Sequence, residues 1–216
     1  MADNQHIYGI RWSSDNRSPM PTPIPKSIAN AYQATNDGAG FNVGLSIGDP
    51  VKLVSDGTIA LALTTNAVYG IIVGFLPYWN GSAMVPTDYL PGGTSPGTTI
   101  RDRRSQALVV PVFPGQLWEI DCDDKVTFTT EAAYEDAEGE NCTIVCPGDQ
   151  SNASRPRANP LLDISLNATT AGLVARIEKI SPTVANQDFS GLYVKLLISF
   201  NISQAAGQAA TTIAGV

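Results

Sequence analysis

The chain has 216 residues, of which 43% are hydrophobic and only 15% charged, with a formal net charge of −7. That composition is too apolar for wholesale disorder, and its acidic balance argues against phosphate binding and hence against nucleic acid as a direct partner. No run of about 18 apolar residues marks a helical membrane span, and "MADNQHIYGIRW" lacks the basic and apolar regions of a secretory signal.

Residues 1–44 read as an extended, polar N-terminal arm. "SPMPTPIPKS" carries Pro19, Pro21, Pro23 and Pro25, which favour polyproline geometry and oppose a helix. Ile7, Ile10 and Trp12 precede it without an obvious core of their own. Such residues either dock on another chain or pack on their own domain. In the docking case Ile7, Ile10, Trp12, Pro21 and Pro23 form a partner-binding set with Trp12 as anchor. Deleting the arm should then leave a folded, soluble domain.

Residues 45–202 read as one β-barrel or β-sandwich domain. It opens on "GDPVKLVSDGTIALAL", residues 48–63. A two-residue Asp56-Gly57 turn would pair Val54 with Ile59 and mix apolar and polar side chains on both faces. A three-residue loop, Ser55-Asp56-Gly57, pairs Leu53 with Ile59 and puts Val51, Leu53, Ile59, Leu61 and Leu63 on one face. Consistent burial selects register, so the longer loop is expected, with Gly57 left-handed in a bulge. "VYGIIVGF" follows as a third strand, with Tyr69, Ile71, Val73 and Phe75 expected on one face.

Residues 76–106 are rich in Pro, Gly and Thr and read as an ordered insertion. Trp79 and Tyr89 within it are further candidates for partner contact. "ALVVPVFPGQLWEID" returns to strand, with a type II turn at Phe113-Pro114-Gly115-Gln116. Pro111 inside a strand implies an edge or a bulge. Between Glu119 and Glu140 stand nine acidic residues against one basic residue, Lys125. This reads as an acidic solvated face carrying a short helix or turn at "EAAYEDAE". "DCDDKV" resembles the start of a calcium loop but lacks its central Gly, so no metal site is assigned. Residues 131–160 are taken as a second insertion. "GLVARIEKI" and "LYVKLLISFNI" close the domain as a hairpin, the latter alternating like a half-buried antiparallel strand. Residues 203–216 form a small, uncharged C-terminal tail.

Chemistry is sparse. No nucleophile elbow, P-loop, zinc helix or Cys-x-x-Cys occurs, and the single histidine, His6, lies in the arm. The reading is no enzyme, no cofactor and no resident metal. Cys122, Cys142 and Cys146 are three in number and lack zinc spacing; reduced thiols are expected, with one disulfide from Cys122 to Cys142 or Cys146 as the alternative. Six Asn-x-Ser/Thr matches, at Asn16, Asn80, Asn141, Asn152, Asn167 and Asn201, are read as chance products of composition.

"IGDPVKLVSDGTIALAL…AVYGIIVGF" resembles the compact β module of tailed-bacteriophage capsid decoration proteins, also called cement or head-stabilising proteins. "ARIEKISPTVANQDFSGLYVKLLISFN" is similar to the end of many phage virion proteins. The likeness covers about half of the chain. It implies a structural virion protein, made in the host bacterial cytoplasm and located on the capsid surface. It also implies the major capsid protein as partner and self-association, with a homotrimer expected. Another virion component (tail, adaptor or receptor-binding protein) and a carbohydrate-binding β module are the alternatives.

Overall fold

The alternation of apolar and polar residues resolves into two antiparallel sheets packed together, a β-sandwich. The computed structural model describes residues 9–28, 45–55, 57–62, 66–79, 83–86, 89–90, 106–123, 128–145, 160–168, 173–183, 186, 188–191, 193–201 and 203–205. A six-stranded sheet is ordered β1 (Arg11–Trp12), β11 (Trp118–Asp121), β15 (Lys195–Phe200), β14 (Ala175–Ile180), β12 (Asn141–Val145), β13 (Leu161–Ala168). A five-stranded sheet is ordered β2 (Ile24–Ser27), β10 (Gln106–Pro111), β6 (Gly70–Phe75), β4 (Pro50–Leu53), β5 (Ile59–Leu61). Two ribbons pair β3 (Leu45–Ser46) with β9 (Tyr89–Leu90), and β7 (Tyr78–Trp79) with β8 (Met84–Val85). Single parallel bridges, Ile28 to Ile59 and Cys122 to Leu162, draw the margins of each sheet together, but neither closes into a barrel. Among the described residues no helix is long and apolar enough to cross a membrane.

The opening hairpin takes the longer loop. Leu53 pairs with Ile59 and Val51 with Leu61, Gly57 has φ 80°, and Val54 N–H donates to the Thr58 carbonyl at 2.8 Å. Val51, Ile59 and Leu61 then enter a core on one face of the five-stranded sheet, with Leu45, Ile72 and Val109. The other face contributes Ile71, Val110 and Val112 to the larger core shared with the six-stranded sheet, around Trp118, Leu196, Ile198 and Phe200.

Strict alternation fails in β6. The β10–β6 register shifts between Leu108 and Val109, which pair with Gly74 and Ile72 and leave Val73 as the extra residue. A bulge changes the face presented by everything beyond it, so Phe75 joins Ile72 in the second core while Ile71 lies in the first. Gly70 is required by close approach: a Cβ there would meet the Val110 carbonyl and lie 2.5 Å from Val109 Cγ1. Gly70→Ala should therefore cost about 2–3 kcal/mol, the upper range for overpacking, because a backbone group cannot swing aside. Gly74→Ala, whose nearest neighbour would be Leu108 Cδ1 at 3.6 Å, should be close to neutral, and urea denaturation of the two variants measures the contrast.

Pro111 is accommodated at the end of β10, beyond the last residue paired with β2. The Phe113–Gln116 turn has Gly115 at φ 80° and Gln116 N–H donating to the Phe113 carbonyl at 3.3 Å. The expected short helix is α1 (Glu131–Asp136), capped by Thr130, whose Oγ1 accepts from Ala133 N–H at 3.3 Å. Its Tyr134 is buried and donates its hydroxyl proton to the Phe128 carbonyl at 3.2 Å. Residues 141–145, expected inside an insertion, are instead β12, between β14 and β13. The remainder of that insertion up to 159, residues 91–105 and the tail beyond 205 lie outside the described residues.

Two expectations about polarity are corrected. β15 is not half-buried: all six of its residues are buried, Lys195 included. It pairs with β11 on one side and β14 on the other, and Ser181 and Asn186, in the segment following β14, hydrogen-bond the main chain of Lys195. Asp121, expected on a solvated acidic face, is 1% exposed and lies beside Lys195.

Candidate docking surface

The N-terminal segment is extended, but over residues 9–28 it is laid along its own sandwich. Ile10 is 2% exposed and donates its N–H to the Gly48 carbonyl at 3.0 Å, so its side chain belongs to the core and not to a contact surface. β1 adds to the margin of the six-stranded sheet, pairing Trp12 with Trp118. The two indoles meet edge to face, with centroids 5.1 Å apart and planes at 89°. Asn16 fastens the segment: its Nδ2 donates to the Leu117 carbonyl at 2.7 Å and its Oδ1 accepts from Leu117 N–H at 2.9 Å. β2 then adds to the margin of the other sheet against β10. Eleven residues, 13–23, thus reach from one sheet to the other, because Trp12 and Ile10 find apolar surface within reach at low closure cost.

The sequence-derived contact residues do not converge. Ile7 lies outside the described residues. Trp79 and Tyr89 sit in the separate ribbons β7 and β9, and their side chains lie outside the described set. Pro21 and Pro23 are half-buried and lead into β2. Trp12, half-buried, borders a cleft of about 290 Å³ with Asp15, Glu119, Ser181 and Thr183. The carboxylates of that cleft are engaged internally: Asp15 with Lys179 Nζ at 2.5 Å, Glu119 Oε1 with the Ser181 hydroxyl at 2.5 Å.

A set of exposed apolar residues toward one end of the β2–β10 pair was not singled out from the sequence. Ile24 opens β2, Met20 stands four residues before it, and Phe113 follows β10. Because Ile24 pairs with Val109 in an antiparallel register, chain preceding Ile24 and chain following Val109 leave by the same end of the sheet. Met20, Ile24 and Phe113 are each about 40% exposed. Their signal in the sequence was weak: Ile24 lies between two prolines, and Phe113 reads as a turn residue. Pro25 within β2 removes an N–H from the strand at the edge of the sheet. Further strand addition there is disfavoured, so contact at this place would run through side chains.

Other polar groups are committed inside the chain. Asn201 Nδ2 donates to Asn141 Oδ1 at 2.7 Å in the buried interior. Two of the Asn-x-Ser/Thr matches are thereby withdrawn from modification. Cys122 and Cys142 are buried and neither is joined in a disulfide among the described residues; Cys146 lies outside the described residues. Burial, then the nearby carboxylates of Glu140, Asp163 and Asp123 and the Cys122 thiol, push the Cys142 thiol up from 9.0 to about 12. Its neutral form is favoured by folding, so this contribution is fully present below pH 9.0 and is lost as pH rises toward about 12. Chemical denaturation across that alkaline range should show stability falling with pH, and less steeply in Cys142→Ala. Comparison with protein-family models, with curated proteins and with solved structures finds no match to this chain.

Proposed function

We propose that the chain is a structural virion protein that binds the outer surface of a tailed-phage capsid and stabilises the shell. It would act on the major capsid protein, as a homo-oligomer with a trimer as the expected form. The observation that carries this reading is three exposed large apolar residues, Met20, Ile24 and Phe113, toward one end of the β2–β10 pair, beside two cores that are already filled. Scattered apolar residues on a surface are ordinary, whereas neighbouring ones beside a rigid sheet margin are the usual mark of a protein contact. Met adapts to an irregular partner surface, and many copies on one lattice turn weak single contacts into firm attachment. The resemblance carried by residues 48–75 is the other support for this reading.

The test is quantification of the chain in purified particles whose genome encodes it, with shell binding of an Ile24→Asp, Phe113→Asp variant measured beside it. A copy number that follows the capsomers, and loss of binding by the folded variant, are expected. A few copies per particle would move the chain to a tail or adaptor role, and absence from particles would overturn the reading.

A further inference from the structure

Lys195 and Asp121 face each other directly across β15 and β11. Lys195 Nζ lies 3.4 Å from Asp121 Oδ1, and the side chains are 2% and 1% exposed. The amine is also held by its own strand: Nζ donates to the Tyr193 carbonyl at 3.0 Å. Tyr193 is the one non-glycine residue with positive φ among the described residues, at 64°. A bulky residue adopts that backbone at a cost, and here it accompanies a carbonyl turned toward the amine. The main chain of Lys195 is fixed as well. Asn186 accepts from its N–H through Oδ1 at 2.8 Å and donates to its carbonyl through Nδ2 at 2.8 Å.

We propose that this pair is a site of self-modification, at which Lys195 and Asp121 join in an intramolecular isopeptide bond. The inference does not rest on the virion reading. Removing an ammonium and a carboxylate from water is costly, and their attraction often fails to offset it. A neutral amide at the same place carries no such penalty. The reaction starts with the Lys195 ammonium passing one proton to the Asp121 carboxylate. The resulting amine lone pair attacks Asp121 Cγ, forming the C–N bond. The tetrahedral adduct then breaks its C–OH bond, and the hydroxyl leaves with the second nitrogen-bound proton as water. Nothing is oxidised or reduced, and no co-reactant is consumed. The structure contributes proximity: the amine is held 3.4 Å from an oxygen of the carboxyl group whose carbon it would attack, and reactants held side by side in this way react as if at very high concentration. Burial also keeps bulk water from the adduct.

The experiment is intact mass measurement of the full chain, purified and incubated for a day at growth temperature, then denatured. Tandem mass spectrometry of a protease digest follows. The expected result is a mass lower than the sequence mass by one water, and a branched peptide joining the Asp121 and Lys195 fragments. Lys195→Arg, which keeps the charge without a reactive amine, should show its full sequence mass. Asp121→Asn should lose ammonia in place of water and give the same branched peptide. A wild-type chain at full mass overturns the proposal. So does a water deficit that maps elsewhere, such as a succinimide at Asp56-Gly57. Because the decisive readings come from the wild-type chain, they stand even where a variant fails to fold.

Discussion

Deleting residues 1–25 is expected to abolish cooperative folding rather than release a soluble domain from its arm. The deletion removes Ile10, which is 2% exposed within the larger core; losing a buried Ile side chain alone costs about 2–5 kcal/mol. It strips β1 from the six-stranded sheet and uncovers Trp118, whose edge-to-face contact with Trp12 is worth about 0.5–1.5 kcal/mol beyond burial. It also takes Asn16 from both backbone groups of Leu117 and cuts into β2. These losses together approach the total stability of about 5–15 kcal/mol expected of a domain. Far-UV circular dichroism with thermal melting checks this. A truncated chain that melts cooperatively, within a few degrees of the intact one, would show that residues 9–25 only rest on the sandwich.

Trp118→Ala should be the most damaging single truncation. The side chain is fully buried and is the largest of those that are. It touches Trp12 on one side and Phe200 on the other, the latter at a centroid distance of 6.4 Å. Truncating a buried aromatic costs about 3–5 kcal/mol, transfer and cavity terms together. Its indole Nε1 has no hydrogen-bond partner among the described residues, so Trp118→Phe forfeits volume but no hydrogen bond and should retain most of that stability. Trp12→Ala, at a half-exposed position on the sheet margin, should cost less than Trp118→Ala. Urea midpoints of the three variants at constant slope give the order directly.

On the proposed reading, changes at Ile10 or Trp12 would reduce shell binding only by unfolding the chain, whereas changes at Ile24 and Phe113 would reduce it with the fold intact. The expectation that the arm docks on a neighbour had treated Ile7, Ile10, Trp12, Pro21 and Pro23 as one unit. Their sequence neighbourhood is the same, but Ile10 points into a core while Met20 and Ile24 stay outside.

Local sequence was sufficient where a short-range rule decides the outcome. The hairpin at 50–61 follows from two-residue periodicity and a glycine able to take positive φ, and so does its register. The helix starting after Thr130 and the glycine of the 113–116 turn are decided in the same way, by residues within a few positions of each other. The all-β class itself is a sum of such local preferences. What only the tertiary structure decided is which side of each element finds a partner. A bulge opposite Leu108 and Val109 moved Phe75 to the other face, because register there depends on a strand far away in the chain. Lys195 reads as a surface residue in an alternating strand, yet it is buried, with Asp121 on the neighbouring strand and the Tyr193 carbonyl meeting its charge. The N-terminal residues found their core by chain reversal over a hundred positions in sequence, from Asn16 to Leu117. Such contacts depend on the free energy of the whole assembled surface, and no window of a few residues contains it.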